Sequence, residues 1–349
     1  MKMKKIYKYL QFSALALALV LNGCQNRDNE FDDFEGGITV YFPYQTPVRT
    51  LVMGEDTYNT DLDNAHKCKI STIMGGAYKG KQIKVDIAED ASLLENLYFK
   101  GDFNGGKKVE AMPSSYYTLS SHTMDFGGDM KGSVEVTLEN AFFEDEKAIS
   151  GEYVIPLVIQ SQTGAKQINE GEYDSEVYSS KPQRTNADAW KTLPMDYTLF
   201  SIKYISKYEG YFLRNVTTLN GATQSREEGK TLLDDPIVKT NTLGLNKVSY
   251  TVSNTVDGNT YNHEVILTFD SNQNCTISAP DGASYTVSGT GSYGDHKAIK
   301  AWGDKDRDQL DITYTINDGA ITISATEQLI LQRRGIKLTT FDTQIITSK

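Results

Sequence analysis

The stretch Lys247 to Phe269, KVSYTVSNTVDGNTYNHEVILTF, decides the fold. Val248, Tyr250 and Val252 alternate with Ser249, Thr251 and Ser253, and Val265, Leu267 and Phe269 repeat the pattern beyond an Asp257-Gly258-Asn259 turn. Strand side chains point to opposite faces in turn, so two such runs around an Asp-Gly read as a β-hairpin with one buried face. Working outward, Tyr208 to Leu219, Ile237 to Leu243, Cys275 to Ala279, Ser284 to Gly289, Gln309 to Ile316, Ala320 to Ala325 and Gly335 to Phe341 are also strand-like. Turns at Ser271-Asn272, Asp281-Gly282 and Asn317-Asp318-Gly319 separate several of them. Eight or nine hairpinned strands in about 140 residues predict an up-and-down barrel or an open sandwich over residues 207–349.

The residues before Lys207 follow the same period with different punctuation. Ile38 to Tyr44, Val48 to Gly54, Cys68 to Ile73, Gln82 to Ile87, Tyr116 to Leu119, Thr123 to Phe126, Ser133 to Leu138 and Tyr153 to Ile159 read as short strands between turns. Glu89 to Leu97 predicts one short helix, with Asp90 as its cap. Residues 164–191 are polar, hold Pro182 and show no apolar period, so they read as a linker or covering segment. Tyr197 to Ile205 closes an antiparallel sandwich spanning residues 38–206.

At the N-terminus, Lys2, Lys4, Lys5 and Lys8 precede the apolar run Phe12 to Leu21, which is too short to span a bilayer and reads as a leader of residues 1–23. Its end, Leu21-Asn22-Gly23-Cys24, resembles the bacterial lipobox, which implies lipidation of Cys24, palmitate being the expected type of acyl chain, and a membrane anchor. Residues 24–37 are acidic and end in two glycines, so they read as a flexible stalk. Removing the four leader lysines from 35 basic residues leaves 31 against 46 acidic ones, a net charge of −15. That sign repels phosphate backbones and argues against nucleic acid as a partner. Cys68 and Cys275 lie on alternating segments in different predicted domains and read as buried thiols.

Met112 to Leu119 (MPSSYYTL), Phe142 to Ile159 (FFEDEKAISGEYVIPLVI) and Pro194 to Tyr208 (PMDYTLFSIKYISKY) resemble Bacteroidetes surface lipoproteins of polysaccharide-utilisation loci. Their immunoglobulin-like N-terminal domain is also found ahead of chitinase-like endo-β-N-acetylglucosaminidases. Tyr211 to Arg214 (YFLR) and Trp302 to Asp308 (WGDKDRD) resemble the β-rich domain joined to it. The resemblance implies an Ig-like sandwich followed by a lipocalin-like barrel, held at the outer face of the outer membrane. Asp28, Glu30, Asp32 and Asp33 resemble the acidic export cue of that group. It also implies non-catalytic glycan binding, host N-glycan among the candidates, beside an outer-membrane importer pair and glycosidases of the same locus.

Sugar recognition needs an aromatic face for the C–H side of a ring and polar groups for its hydroxyls. Trp302, with Asp304, Lys305 and Arg307 around it, has that company between two strands. Trp190 offers a second ring, and Tyr208 and Tyr211 are expected to share one strand face. Each has a structural alternative, Trp302 within the barrel and Trp190 across the domain junction, because large aromatics serve cores. Asp304, Asp306, Asp308 and Asp311 are spaced like calcium ligands, but Gln309 and Thr315 stand where such a loop needs Gly and Glu, and no metal or other cofactor is expected. Four scattered histidines and the absence of H-E-x-x-H and G-x-S-x-G argue against an enzyme. A structural or assembly lipoprotein with an exposed pairing edge, and a glycoside hydrolase, are the competing expectations.

Overall fold

The computed structural model of the protein describes residues 32–337 and 339–346. The expected leader, Cys24 and residues 24–31 of the stalk lie outside the described residues. Strands dominate and helices are single turns, so the chain is all-β, as its alternation predicts.

The N-terminal unit opens with β1 (Thr39–Tyr41), β2 (Pro47–Val52), β3 (Lys67–Gly75) and β4 (Lys84–Glu89). It continues with β5 (Leu97–Lys100), β6 (Glu110–Ala111), β7 (Tyr117–Leu119), β8 (Thr123–Asp125) and β9 (Lys131–Leu138). β10 (Tyr153–Thr163), β11 (Gln167–Ile168), β12 (Glu172–Tyr173), β13 (Trp190–Thr192) and β14 (Tyr197–Ile205) complete it. One sheet runs β11-β1-β3-β9-β7 and the other β2-β14-β10-β4-β8, with β6 beside β10. Alternate positions of β3 and β9, Cys68, Ile70 and Met74 against Val134, Val136 and Leu138, fill the space between the sheets. The predicted helix is a single 3-10 turn, Ala91–Leu94, and Asp90 caps it by accepting from the Ser92 amide at 3.0 Å.

β10 is apolar without alternation from Tyr153 to Ile159 because both of its faces are covered. Ile155, Leu157 and Ile159 join the core between the sheets. Val154 and Val158 point the other way, into a second core with Leu93, Leu97, Phe99 and Leu199. A strand covered on both sides has no polar face to display, which is the usual meaning of such a run.

From Ser206 the chain builds the second unit. β15 (Gly210–Leu219) folds back briefly as β16 (Ala222–Thr223). β17 (Ile237–Gly244), β18 (Lys247–Val256), β19 (Asn259–Phe269) and β20 (Asn274–Ser278) follow, then the long β21 (Thr286–Trp302), β22 (Lys305–Asn317) and β23 (Thr322–Arg333). Each pairs antiparallel with the next, and β15 pairs with both β17 and β23, so eight strands close a ring. Phe212, Tyr250, Leu267, Leu310, Ile312 and Tyr314 fill its interior.

The expected strand Gly335 to Phe341 is not part of this barrel. Beyond Arg333 the chain returns to the sandwich: β24 (Thr339–Thr340) pairs with Pro47 and Val48 of β2, and β25 (Asp342–Ile345) pairs with β5. Phe341 between them is buried in the second core, its ring 5.1 Å from that of Phe99 and 5.7 Å from that of Phe103. Residues 339–346 therefore complete the N-terminal unit, which corrects the boundary expected from sequence. The physical reason is that the β5 edge and the face of β10 need cover, and this tail supplies both a ladder and a large ring.

Phe341→Ala should lower the free energy of unfolding by about 3–5 kcal/mol, the range for emptying a buried aromatic site, as read from urea denaturation. Cys68 and Cys275 are free and buried, and burial pushes both thiols up to about 12. Ellman's reagent at about pH 8 should leave both unmodified in the folded protein and label both after unfolding in guanidinium, because the thiolate is the reactive form.

Candidate functional site

The barrel interior carries charge, and its own partners account for it. Glu327 on β23 is buried and accepts from Tyr250 Oη at 2.7 Å, Tyr314 Oη at 2.5 Å and Arg214 Nε at 2.9 Å, with a second bond from Arg214 Nη2. Arg214 also donates to the Ser253 carbonyl at 2.7 Å and to Asn254 Oδ1 at 2.9 Å, and Asn254 donates to Tyr314 Oη at 2.8 Å. Burial is the largest single influence on Arg214 and lowers its pKa, but the bonds to Glu327 together with the charges of Tyr250, Glu327 and Tyr314 raise it overall; burial and then the Glu327 charge raise Tyr250. A charge pair this enclosed persists when its hydrogen-bonding groups are met, and here each Glu327 oxygen accepts two bonds and four of the five Arg214 N–H groups donate. The middle of the lumen is a closed network of side chains.

The open surface with converging chemistry lies where the two units meet. Ser206 Oγ donates to the Leu245 carbonyl at 2.6 Å and Thr242 Oγ1 accepts from the Ser206 amide at 2.8 Å, which locks the linker onto the barrel. Arg334, buried as the returning chain leaves β23, donates to the carbonyls of Lys207 and Glu209 and, at 3.4 Å, to that of Glu55. Its Nη2 makes no hydrogen bond and lies 3.5 Å from Asp308 Oδ2. Beside it opens a cleft of about 440 Å³, walled by Arg49, Thr50 and Tyr58 of the sandwich and by Arg333, Arg334 and Lys337 of the returning chain. Arg49 is held by buried Asp63, which also accepts from the Val52 amide at 3.0 Å; burial raises the Asp63 pKa against both partners. Burial, then the Asp63 charge, raises the Tyr58 phenol.

Next to the cleft, Tyr211 on β15 stands between β17 and β23 with Lys239 Nζ 5.8 Å and Arg333 Cζ 4.3 Å from its ring centre. Gly335 turns against this ring with φ +77°, and a Cβ there would lie 2.5 Å from Tyr211 Cε2. Both the backbone angle and the approach require glycine.

Tyr208 and Tyr211 do not share a face. Three positions separate them, an odd number in a period of two, and Tyr208 precedes β15. Tyr208 lies in the barrel core, stacked on Phe269 at 3.6 Å and edge-on to Tyr293 at 5.1 Å. Trp302 ends β21 at the Gly303-Asp304 turn, whose residues both have positive φ, the geometry of a tight hairpin. It sits at the hairpin rather than inside the barrel. Arg307 covers one face of the indole, its Cζ 3.7 Å from the ring centre, and the indole N–H points to the Leu331 carbonyl at 3.4 Å. Asp304 and Lys305 are exposed at the tip. The hairpin leans on the junction through His296 Nε2 to Glu55 at 2.9 Å and Lys207 Nζ to Asp295 at 2.9 Å.

Thus Tyr211, Trp302, Asp304, Lys305 and Arg307 gather at the junction end of the barrel. Trp190 does not. It is buried in the N-terminal unit, donates to the Gln183 carbonyl at 3.1 Å and meets Tyr173 edge-on at 5.9 Å. Asp308, in the sequence reading a calcium-spaced acid, instead accepts from Tyr293 Oη at 2.7 Å and from the His296 amide at 3.0 Å. Sequence analysis does not single out Arg49, Tyr58, Arg333, Arg334 or Lys337. The available signal is Arg333-Arg334-Gly335-Ile336-Lys337, three cations in five residues of an acidic chain.

The family model described as a domain of unknown function, DUF5627, matches residues 207–335. A second, described as a "-like, N-terminal domain", matches residues 31–166. A crystal structure from Bacteroides ovatus, described as of unknown function, is 30% identical with a TM-score of 0.79, covering 90% of this chain and 100% of that chain. Another from the same organism, also described as of unknown function, is 10% identical with a TM-score of 0.37, covering 86% of this chain and 94% of that chain. No curated protein matches the chain.

Glu327→Leu should cost about 3–5 kcal/mol in urea unfolding, because it strands the Arg214 charge in the barrel. Combining it with Arg214→Met should recover at least half of that loss, since a buried pair replaced whole leaves no orphan charge.

Proposed function

From the premise that this chain belongs to the family of the Bacteroides ovatus protein it matches at 30% identity, with a DUF5627 domain at residues 207–335, we propose that it captures oligosaccharide without altering it. The observation that carries the reading is the junction cleft with its rim. Tyr58 and Tyr211 supply rings and Arg49, Arg333 and Lys337 supply donors; Arg49, Tyr211 and Arg333 stand on strands, and Tyr58 and Lys337 on the segments between them. Aromatic faces bordered by fixed donors are what a pyranose ring with hydroxyls requires. The lipobox ending at Cys24 supports a lipid anchor on this reading, and the acidic residues Asp28, Glu30, Asp32 and Asp33 support display at the outer face of the outer membrane, where the protein would hand glycan to an importer pair beside the glycosidases of its locus.

Two observations weigh against the alternatives. Hydrolysis needs two carboxylates free to act on one bond. At the cleft, Asp63 is tied to Arg49 and Asp308 to Tyr293 and Arg334, leaving Asp56 as the acid on its wall. Assembly by strand addition needs a long open edge. The outer strands of the two sandwich sheets, β7, β8, β11 and β24, hold two or three residues each, and the barrel closes on itself.

Incubated with a panel of host and dietary glycans, the protein should retain at least one and release no cleavage product. Tyr211→Ala, still folded by circular dichroism, should weaken that retention about tenfold, the scale of one lost ring contact. Released product would establish a hydrolase, and silence across the panel would favour the assembly role.

A further inference from the structure

We propose that the junction cleft reads a negative charge, so that the saccharide it holds is acidic, bearing a carboxylate or a sulfate ester. This rests on the capture reading above and narrows its ligand class. The chain as a whole is acidic, with a formal net charge of −11, so its general field repels anions. The cleft departs from that balance: Arg49, Arg333, Arg334 and Lys337 line it against the single acid Asp56. Asp63 and Asp308 lie behind the wall and offset Arg49 and Arg334. Arg333 and Lys337 line the cleft and are exposed, so their charges stay accessible to an incoming ion.

The two kinds of cation have different work. Arg333 lies with its Cζ 4.3 Å from the centre of the Tyr211 ring and its Nη1 donates to Gln332 Oε1 at 2.7 Å, which together fix the guanidinium plane and leave the Nε–Nη2 edge as the fork that matches a carboxylate or sulfate. Lys337 is a point charge on a flexible stem. Arg334 is 4% exposed, and its Nη2 has a carboxylate at 3.5 Å but no hydrogen-bond acceptor. That nitrogen faces Asp308 behind the wall, so Arg334 acts on the cleft through its charge and not as a donor. Thr50, Thr57 and Tyr58 add hydroxyls on the sandwich wall, so an anionic group and the ring that carries it can be bonded together. The volume, about 440 Å³, is within the range of small-molecule pockets, which suits one or two sugar residues rather than a bare ion.

The test uses the full chain in non-ionic detergent, titrated by calorimetry with polygalacturonate and heparan sulfate oligosaccharides, with their neutral counterparts galactan and dextran oligosaccharides, and with inorganic sulfate. Binding of an acidic oligosaccharide at least tenfold tighter than its neutral counterpart, weakened at least tenfold between about 20 and about 500 mM salt, is the expected result. Arg333→Gln with Lys337→Gln should abolish that preference, while Lys230→Gln, on an exposed loop of the barrel, should leave it unchanged. Neutral oligosaccharides bound as tightly as acidic ones, with no loss in the double variant, would overturn the charge assignment and leave the capture reading standing. Inorganic sulfate bound as tightly as the sulfated oligosaccharide would overturn it too, because the sugar ring would then contribute nothing. Silence toward acidic and neutral oligosaccharides alike would overturn both.

Discussion

Phe341 in its seat beside Phe99 and Phe103 is the contact on which the second core, the junction and the cleft depend. The second core of the sandwich is built on one face of β10 and β14 and is covered by a third, two-stranded sheet of β5 and β25. The tail that follows the barrel completes that cover, adding Thr339–Thr340 to β2 and Asp342–Ile345 to β5 around the buried ring. Because the tail must reach this place from the end of β23, residues 334–337 are drawn across the junction. They become one wall of the cleft, and Arg334 is pinned there by the carbonyls of Lys207 and Glu209. The second core, the junction and the cleft thus share one segment of chain, residues 334–346, while the core between the two sheets stands without it.

The barrel answers a different constraint. Eight strands enclose an interior that side chains can just fill, and this one is filled by aromatic and branched residues with a charge pair at its middle. Arg214 and Glu327 face inward on neighbouring strands, and Tyr250, Tyr314 and Asn254 complete their hydrogen bonds. Pairing β15 with β23 closes the ring and leaves no end strand, although Thr251–Val256 and Asn259–Glu264 of the β18–β19 hairpin pair only with each other. With the lumen spent on this network, the cleft proposed as the capture site lies outside it, where β23 ends and the returning chain meets the sandwich.

Much of this was legible from local pattern, and the parts that were not share a cause. Lys247–Val256 and Tyr197–Ile205 are strands over the same residues that their sequence predicts, because each run meets a defined turn or boundary. β21 was legible only at its start. Its later residues, Gly294 to Lys300, break register with β22 and include His296 and Lys300 at positive φ, so alternation is lost while pairing continues. Gly335 to Phe341 has strand composition, yet its partner is set by contacts some 240 to 290 residues away in sequence, which no local period reports. Trp302 drew attention as a rare large ring, and the structure places it under Arg307. Arg333 and Lys337 carried no such mark, since cations are ordinary on surfaces until a fold gathers them.

The polypeptide passes between the two units twice, outward after β14 and back into β24, and those two strands flank β2 on opposite sides. β14 and β2 run toward the junction in parallel, while β24 runs away from it. Tension pulling the barrel from the sandwich would therefore act along these strands and load both ladders in shear, so their bonds must fail together rather than unzip one at a time. The connection between the two modules is thus a clasp that yields as a unit.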